Sequence, residues 1–362
     1  MKEKFTKSYK SWSDWQIWTV VVVIIIATAG LIVYQKYYRV FTPRDQVSTE
    51  SDQTEESNLV TSMFDWQKSI SVWGGLYGQA SVVFQDKIWV IGGKDKDDQP
   101  TNDVWSSADG THWSKVSSNN LWSARSAHQA VVFDNKIWIM GGISAAGEEL
   151  NDVWSSADGV VWNRLTDAAP WPARANFSSI VFDNKVFVMG GWSATSPQGG
   201  TLTYYNDVWS SLDGKNWEQL SSDSAWSKRA YLSAYTFGNK IFIAGGLTSS
   251  PQREFSDIYS STDGESWVKV GDLPDPRGAG VVVNADGWLY FIDGYNNDQV
   301  LSYSFYSKDG VSWTQADNAL DGPSRSFHSA TYFKNKIWLI GGTDFTDDKV
   351  NDLWSTGIII TK

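Results

Sequence analysis

The sequence predicts an all-β fold: a six-bladed β-propeller of four-stranded antiparallel blades, closed by an N-terminal strand and preceded by one transmembrane α-helix. Three observations predict it. A glycine pair recurs at Gly92-Gly93, Gly141-Gly142, Gly190-Gly191, Gly245-Gly246 and Gly341-Gly342, with Asp293-Gly294 standing fifth in the series, so the period is near fifty residues. Each period holds four short strand-like runs separated by turn residues. The chain also carries 22 tryptophans and 15% aromatic residues, large flat side chains suited to packing one sheet on the next.

One period shows how each element follows from its residues. Ser126 to Phe133 (SAHQAVVF) reads as a first strand. Asp134-Asn135 is a two-residue turn, built from residue types that tolerate positive φ. Lys136 to Met140 (KIWIM) alternates and is β-branched, so it reads as the second strand. Gly141-Gly142 ends it where backbone must pass close to a neighbouring chain segment. Asn151 to Ser156 forms the third strand, and Asp158-Gly159 turns it into a fourth carrying Trp162.

This order, an apolar strand ending in a glycine pair, then Asn-Asp, then Trp in the fourth strand, resembles the kelch-repeat family, including the central domain of galactose oxidase, over residues 64–362. The turn between third and fourth strands is similar to the Asp-box hairpin and recurs at Asp109, Asp158, Asp213, Asp263 and Asp309, each followed by Gly and then Trp. These aspartates are read as structural turn residues.

The ends of the repeat complement each other. The sixth unit breaks off after Asn351-Asp352-Leu353-Trp354 without its turn or fourth-strand Trp, while Phe64 to Lys68 (FDWQK) is a fourth strand without a blade before it. Pairing them would close the ring and remove its open edges. A closed ring of this kind is expected to be monomeric.

Four segments follow: a basic tail at 1–16, a transmembrane helix at 17–34, an acidic flexible linker at 35–63 and the propeller at 64–362. Ile17 to Val33 is an uncharged apolar run flanked by Trp18 and by Tyr34, Tyr37 and Tyr38. A cleaved signal peptide ending near Ala27-Thr28-Ala29 is the alternative, but the apolar run continues past it. Lys2, Lys4, Lys7 and Lys10 precede the run and Lys36, Arg39 and Arg44 follow it, a slight bias that places the propeller outside the cytoplasmic membrane. Residues 45–62 are rich in Ser, Thr, Gln and Glu and read as a tether.

The formal charge of −11 is unevenly spread: residues 1–44 hold seven basic and two acidic residues, leaving 23 basic and 39 acidic for the rest. Such an acidic body repels phosphate backbones, so nucleic acid is not an expected partner. There are no cysteines, hence no disulfides; in an anchored exterior domain this points to a prokaryote.

One register carries the binding expectation. Arg125, Arg174, Arg229, Arg277 and Arg325 stand just before the first strands, with Leu76 in that slot in the first unit. Trp73, Trp122, Trp171 and Trp226 stand three residues earlier, replaced by Pro274 and Gly322 in the last two units. The family resemblance implies that first strands line the axis and that these arginines ring one channel mouth, with His128 and His328 pointing to the same region. Guanidinium forks suit carboxylates and indole faces suit sugar rings, so an acidic glycan or peptide is the expected ligand. The competing reading makes both sets structural, since packing residues repeat with the blade. The loop after Gly191 is longer than its equivalents and would expose Trp192, Tyr204 and Tyr205.

The expected function is therefore a membrane-anchored binding module for a glycan or protein, with neither cofactor nor metal. A sialic-acid mutarotase-like or sialidase-like enzyme is the alternative; it would need an acidic residue within reach of a Tyr or His at the arginine mouth. Copper-radical oxidase chemistry needs a cysteine crosslinked to tyrosine, which this chain lacks. The histidines, His112, His128 and His328, do not form a metal-ligand set.

Overall fold

The computed structural model describes residues 63–64, 66–116, 122–195, 200–249, 251–296, 299–316, 324–344 and 352–359. Six antiparallel meanders stand in the predicted places. Their innermost strands are Ala80–Phe84, Gln129–Phe133, Ser178–Phe182, Ser233–Phe237, Val281–Ala285 and Ser329–Phe333, which define blades I to VI. In every blade the innermost strand pairs with the run ending at the glycine pair. The turns joining these two strands are tight: Asp134 and Asn135 have φ of 47° and 52°, the mirror-image turn that Asp-Asn favours.

The predicted transmembrane helix at 17–34 and its flanking tail lie outside the described residues, as does the linker apart from Met63. No helix among the described residues is long and apolar enough to cross a membrane.

Closure follows the prediction. Gln67–Ile70 pairs with Asp352–Ile359 as the outermost strand of blade VI, in the register Gln67 with Ser355 and Ile70 with Asp352. Met63–Phe64 continues the pairing against Ile359 and Ile358. Lys68 adds an ion pair to Asp352 at 3.2 Å and lies over the Trp354 ring. Trp66 packs into the apolar core between blades V and VI. An equivalent core fills each of the six interfaces, including Phe333, Trp338 and Ile340 of blade VI against Ile88 and Val90 of blade I.

The turn between third and fourth strands is a packing device. Asp158 Oδ1 accepts the N–H groups of Val161 and Val160, both at 2.8 Å, and these bonds hold its carboxyl below the usual range. Ser156 Oγ accepts the Gly159 N–H at 2.8 Å, and Trp162 Nε1 donates to the Gly159 carbonyl. Gly159 has φ +72°, and a Cβ there would lie 2.1 Å from the Trp89 ring of blade I. Glycine lets the outer turn of one blade seat an aromatic ring from the blade before it.

A second closure encircles the axis. One residue per blade, just before the innermost strand, has positive φ: Gly78, Ala127, Asn176, Tyr231, Ala279 and Phe327. Their backbones bond in a circle. Ala127 N–H donates to Gly78 O, Asn176 to Ala127, Tyr231 to Asn176, Ala279 to Tyr231, Phe327 to Ala279 and Gly78 to Phe327, at 2.8–3.4 Å. A left-handed backbone at Tyr or Phe is strained, and the closed circle holds it there.

Candidate functional site

The crossovers between blades and the loops after the glycine pairs emerge at one face, because strands alternate in direction. On that face the chain builds two-stranded ribbons. Three lie between second and third strands, Trp192–Ala194 with Leu202–Tyr204, Leu247–Ser249 with Gln252–Glu254, and Tyr295–Asn296 with Gln299–Val300, while in blade I Leu76–Tyr77, ahead of the innermost strand, pairs with Lys94–Asp95. In blade II the long strands Lys136–Ser144 and Glu149–Ser156 themselves extend into this crown. The opposite face carries the tight turns.

The arginines lie beneath the crown, and the expected ring of open guanidinium groups is not what the structure holds. Arg125, Arg174, Arg229, Arg277 and Arg325 are each 0% exposed. Arg174 donates to Asp207 through Nη1 and Nη2 at 2.7 and 2.8 Å, to the Gly190 carbonyl at 2.9 Å and, through Nε, to Pro172 O at 3.0 Å. Arg125 repeats this with Asp152 and Gly141, Arg229 with Asp257 and Gly245, and Arg325 with Asp352 and Gly341. A buried guanidinium needs a counter-charge and acceptors for its donors. The aspartate of the Asn-Asp motif supplies the first, and the glycine-pair carbonyl supplies one of the second. The asparagine beside it spans the interface: Asn206 Nδ2 donates to Ser224 O and Trp226 O on the crossover into the next blade, both at 3.0 Å.

Two blades depart from the motif, and in each the remaining charge finds a substitute partner. Blade I has Leu76 in the arginine slot, and its Asp103 pairs instead with Lys115 at 2.8 Å. Blade V keeps Arg277 but has Tyr303 in the aspartate slot. There Asp275 takes over, accepting from Arg277 Nη2 at 2.7 Å and from Tyr303 Oη at 2.6 Å. An acidic residue does lie within reach of a tyrosine, as a sialidase-like site requires. Its arginine is buried, however, with Nη1 filled by the Asp293 and Tyr303 carbonyls and Nε and Nη2 by Asp275, so no fork remains for a substrate carboxylate. Asp293 itself stands in the first-glycine slot with φ 50°; burial pushes its carboxyl up to about 8 against the pull of Arg325 and Arg277.

The tryptophans are also interior. Trp122, Trp171 and Trp226 are buried, and Trp73 is half-buried. Each meets the fourth-strand tryptophan of its own blade edge to face, as Trp171 does with Trp217 at 5.8 Å. The blade III insertion forms a ribbon and does not expose its aromatics. Tyr204 is buried, with its hydroxyl 2.7 Å from Ser249 Oγ of the blade IV ribbon. Tyr205 lies under the Arg174 guanidinium at 4.3 Å, and Trp192 is half-buried.

The structure does bring His128 and His328 together with one another, at the axis. Both line a channel cavity of about 230 Å³ and an adjoining one of about 110 Å³ at its mouth. Sequence reading missed the third polar member, Gln79, and the positive-φ circle above it. The circle's residues vary from Gly to Phe, so no repeated letter marks them; Gln79 takes the histidine slot in the unit lacking the arginine used to find it.

Residues 78–271 match the family model described as the KLHDC2/KLHL20/DRC7 Kelch-repeats domain. Alpha-scruin of Limulus polyphemus is 23% identical over 128 residues, 33% of this chain and 14% of that protein. A Kelch domain-containing protein of Sulfurisphaera tokodaii is 24% identical over 135 residues, 36% of this chain and 18% of that protein. Kelch-like protein 36 of Mus musculus is 26% identical over 140 residues, 37% of this chain and 22% of that protein. The matched stretch spans less than a quarter of each relative's own length. With the glycine-pair strands, the buried Arg–Asp forks and a family match over more than half its length, this chain belongs to the kelch-repeat family.

Proposed function

We propose that this chain is a binding module that docks a protein partner on its crowned face. We further propose that residues 17–34 hold it at the membrane of a prokaryote with the propeller outside. The observation that carries the docking reading is the crown itself. Its ribbons join laterally: Tyr204 bonds Ser249 of blade IV, and Ala194 N–H donates to Glu149 Oε1 of blade II at 3.2 Å. The result is a joined, loop-built surface over blades II to IV, the kind of site where recognition usually occurs. Exposed charges of both signs stand on it, Asp97, Asp98 and Glu148 beside Lys96 and Arg253, with Lys96 paired to Asp97. The filled arginine forks argue against capture of an acidic glycan there.

A photo-crosslinking residue placed at Thr203, exposed on the blade III ribbon, tests this against one at Val161, 61% exposed on the opposite face. In the intact chain, crosslinks to a partner protein are expected at Thr203 and not at Val161. Equal capture at both positions, or capture at Val161 alone, would contradict the proposal.

A further inference from the structure

We infer that the seam between blades V and VI is a proton-controlled joint: it is shut while the Asp293 carboxyl keeps its proton, and its crown-side end loosens when that carboxyl ionises. Five blades have glycine at this point, and a Cβ there would press on the next blade, 2.9 Å from the Arg125 carbonyl oxygen at Gly92 and 3.0 Å from that of Arg229 at Gly190. Blade V puts a carboxyl into that space instead. Asp293 is 2% exposed, with φ 50°.

The seam it enters has the longest bonds of the six. The N–H of the second residue of each pair donates to a backbone carbonyl of the next blade. That bond is 2.8–2.9 Å at Gly93, Gly142, Gly191, Gly246 and Gly342, but 3.2 Å from Gly294 to Arg325 O. The axial circle repeats the pattern, with 2.8–3.0 Å at five joints and 3.4 Å from Phe327 N–H to Ala279 O. Both long bonds cross from blade V to blade VI. Farther out, Val283, Tyr290, Ile337 and Leu339 share an apolar core that keeps the two blades together, so movement is confined to the inner end. Gly294 leads directly into the ribbon of Tyr295–Asn296 with Gln299–Val300, so that end carries part of the crown.

The charges around Asp293 are already balanced among themselves. From blade V, Arg277 faces it but is paired with Asp275, which also accepts from Tyr303. From blade VI, Arg325 faces it but is paired with Asp352, which also holds Lys68 of the closing strand, and Asp344 adds a further negative charge near Arg325. His328, the blade VI counterpart of the His128 that packs on Gly92, is pushed down to about 3 by burial and then by Arg325, so it is neutral. An ionised Asp293 is therefore surplus negative charge in a buried seam. Burial pushes its carboxyl up to about 8 against the pull of Arg325 and Arg277. This lies above the ordinary carboxylate value of about 4. The stabilisation is thus complete in acid, falls as pH rises, and is gone above about 8.

Carbon-13 NMR and amide hydrogen exchange on the full chain in detergent test the joint. Asp293→Asn and Asp293→Gly are the variants, the second restoring the residue of the other five blades. The Asp293 carboxyl carbon is expected to titrate near pH 8 in the folded protein. At about pH 6.5 the Gly294 and Phe327 amides should be protected as strongly as their counterparts Gly191 and Asn176. At about pH 9 their protection should fall roughly tenfold or more relative to those two in the natural chain, and stay level with them in both variants. Titration in the ordinary carboxylate range, an equal fall at all four amides, or the same selective fall in either variant would overturn the inference. None of these readouts uses a docked partner, so failure here leaves the crown reading untouched.

Discussion

Removing residues 63–70 is expected to destabilise the propeller by about 5 kcal/mol or more, while removing 45–62 leaves its thermal midpoint unchanged. Several losses coincide in the first deletion. The ladder from Gln67–Ile70 to Asp352–Ile359 disappears, at about 1 kcal/mol per net hydrogen bond. Trp66 leaves the core between blades V and VI, at about 2 kcal/mol for a large apolar side chain. Lys68 leaves Asp352, which Arg325 must then balance alone. The freed edge of Asp352–Ile359 becomes a template for other chains, so aggregation should accompany the loss. Thermal melts and sedimentation of the two deletion variants check this; equal melting of both would remove the strand from the closure.

Arg174→Ala is expected to cost about 3–5 kcal/mol, the range for stranding one partner of a buried pair. Arg174 is fully buried, and the change leaves the buried Asp207 carboxylate with the Trp209 indole N–H as its remaining side-chain donor. The Gly190 carbonyl loses its guanidinium donor as well. The double variant Arg174→Met, Asp207→Asn should recover part of the loss, because it removes the unpaired charge. An arginine held for a ligand would behave differently: its loss would abolish binding with little change in the denaturant midpoint. Urea titration of the single and double variants separates the two roles.

Much of the fold was legible because the repeat states it six times. The glycine pair, the Asp-Asn turns and the incomplete ends each have a backbone reason to be where they are, and blade number and closure follow from them. The site was less legible. The arginines repeat as a ligand ring might, but their fate depends on Asp152, Asp207, Asp257 and Asp352, each 27 to 33 residues away in sequence and adjacent only in the blade. The two slots do not vanish together, since Asp103 is kept opposite Leu76 and Arg277 is kept opposite Tyr303, so the sequence itself hid that arginine and aspartate serve each other. Tyr204 looked like an exposed loop residue because local sequence does not show that two ribbons would meet over it. The positive-φ circle left no trace in residue type, since its geometry is imposed by hydrogen bonds between blades and not by side-chain preference.

Amide hydrogen exchange at the circle tests closure most directly. The N–H groups of Gly78, Ala127, Asn176, Tyr231, Ala279 and Phe327 each bond the preceding blade's carbonyl, with blade VI serving blade I. A ring that opens only by global unfolding predicts comparable, strong protection at all six in the full chain. Rapid exchange at Gly78, with protection kept at Asn176 and Tyr231, would show a seam between first and last blades and would contradict a closed propeller.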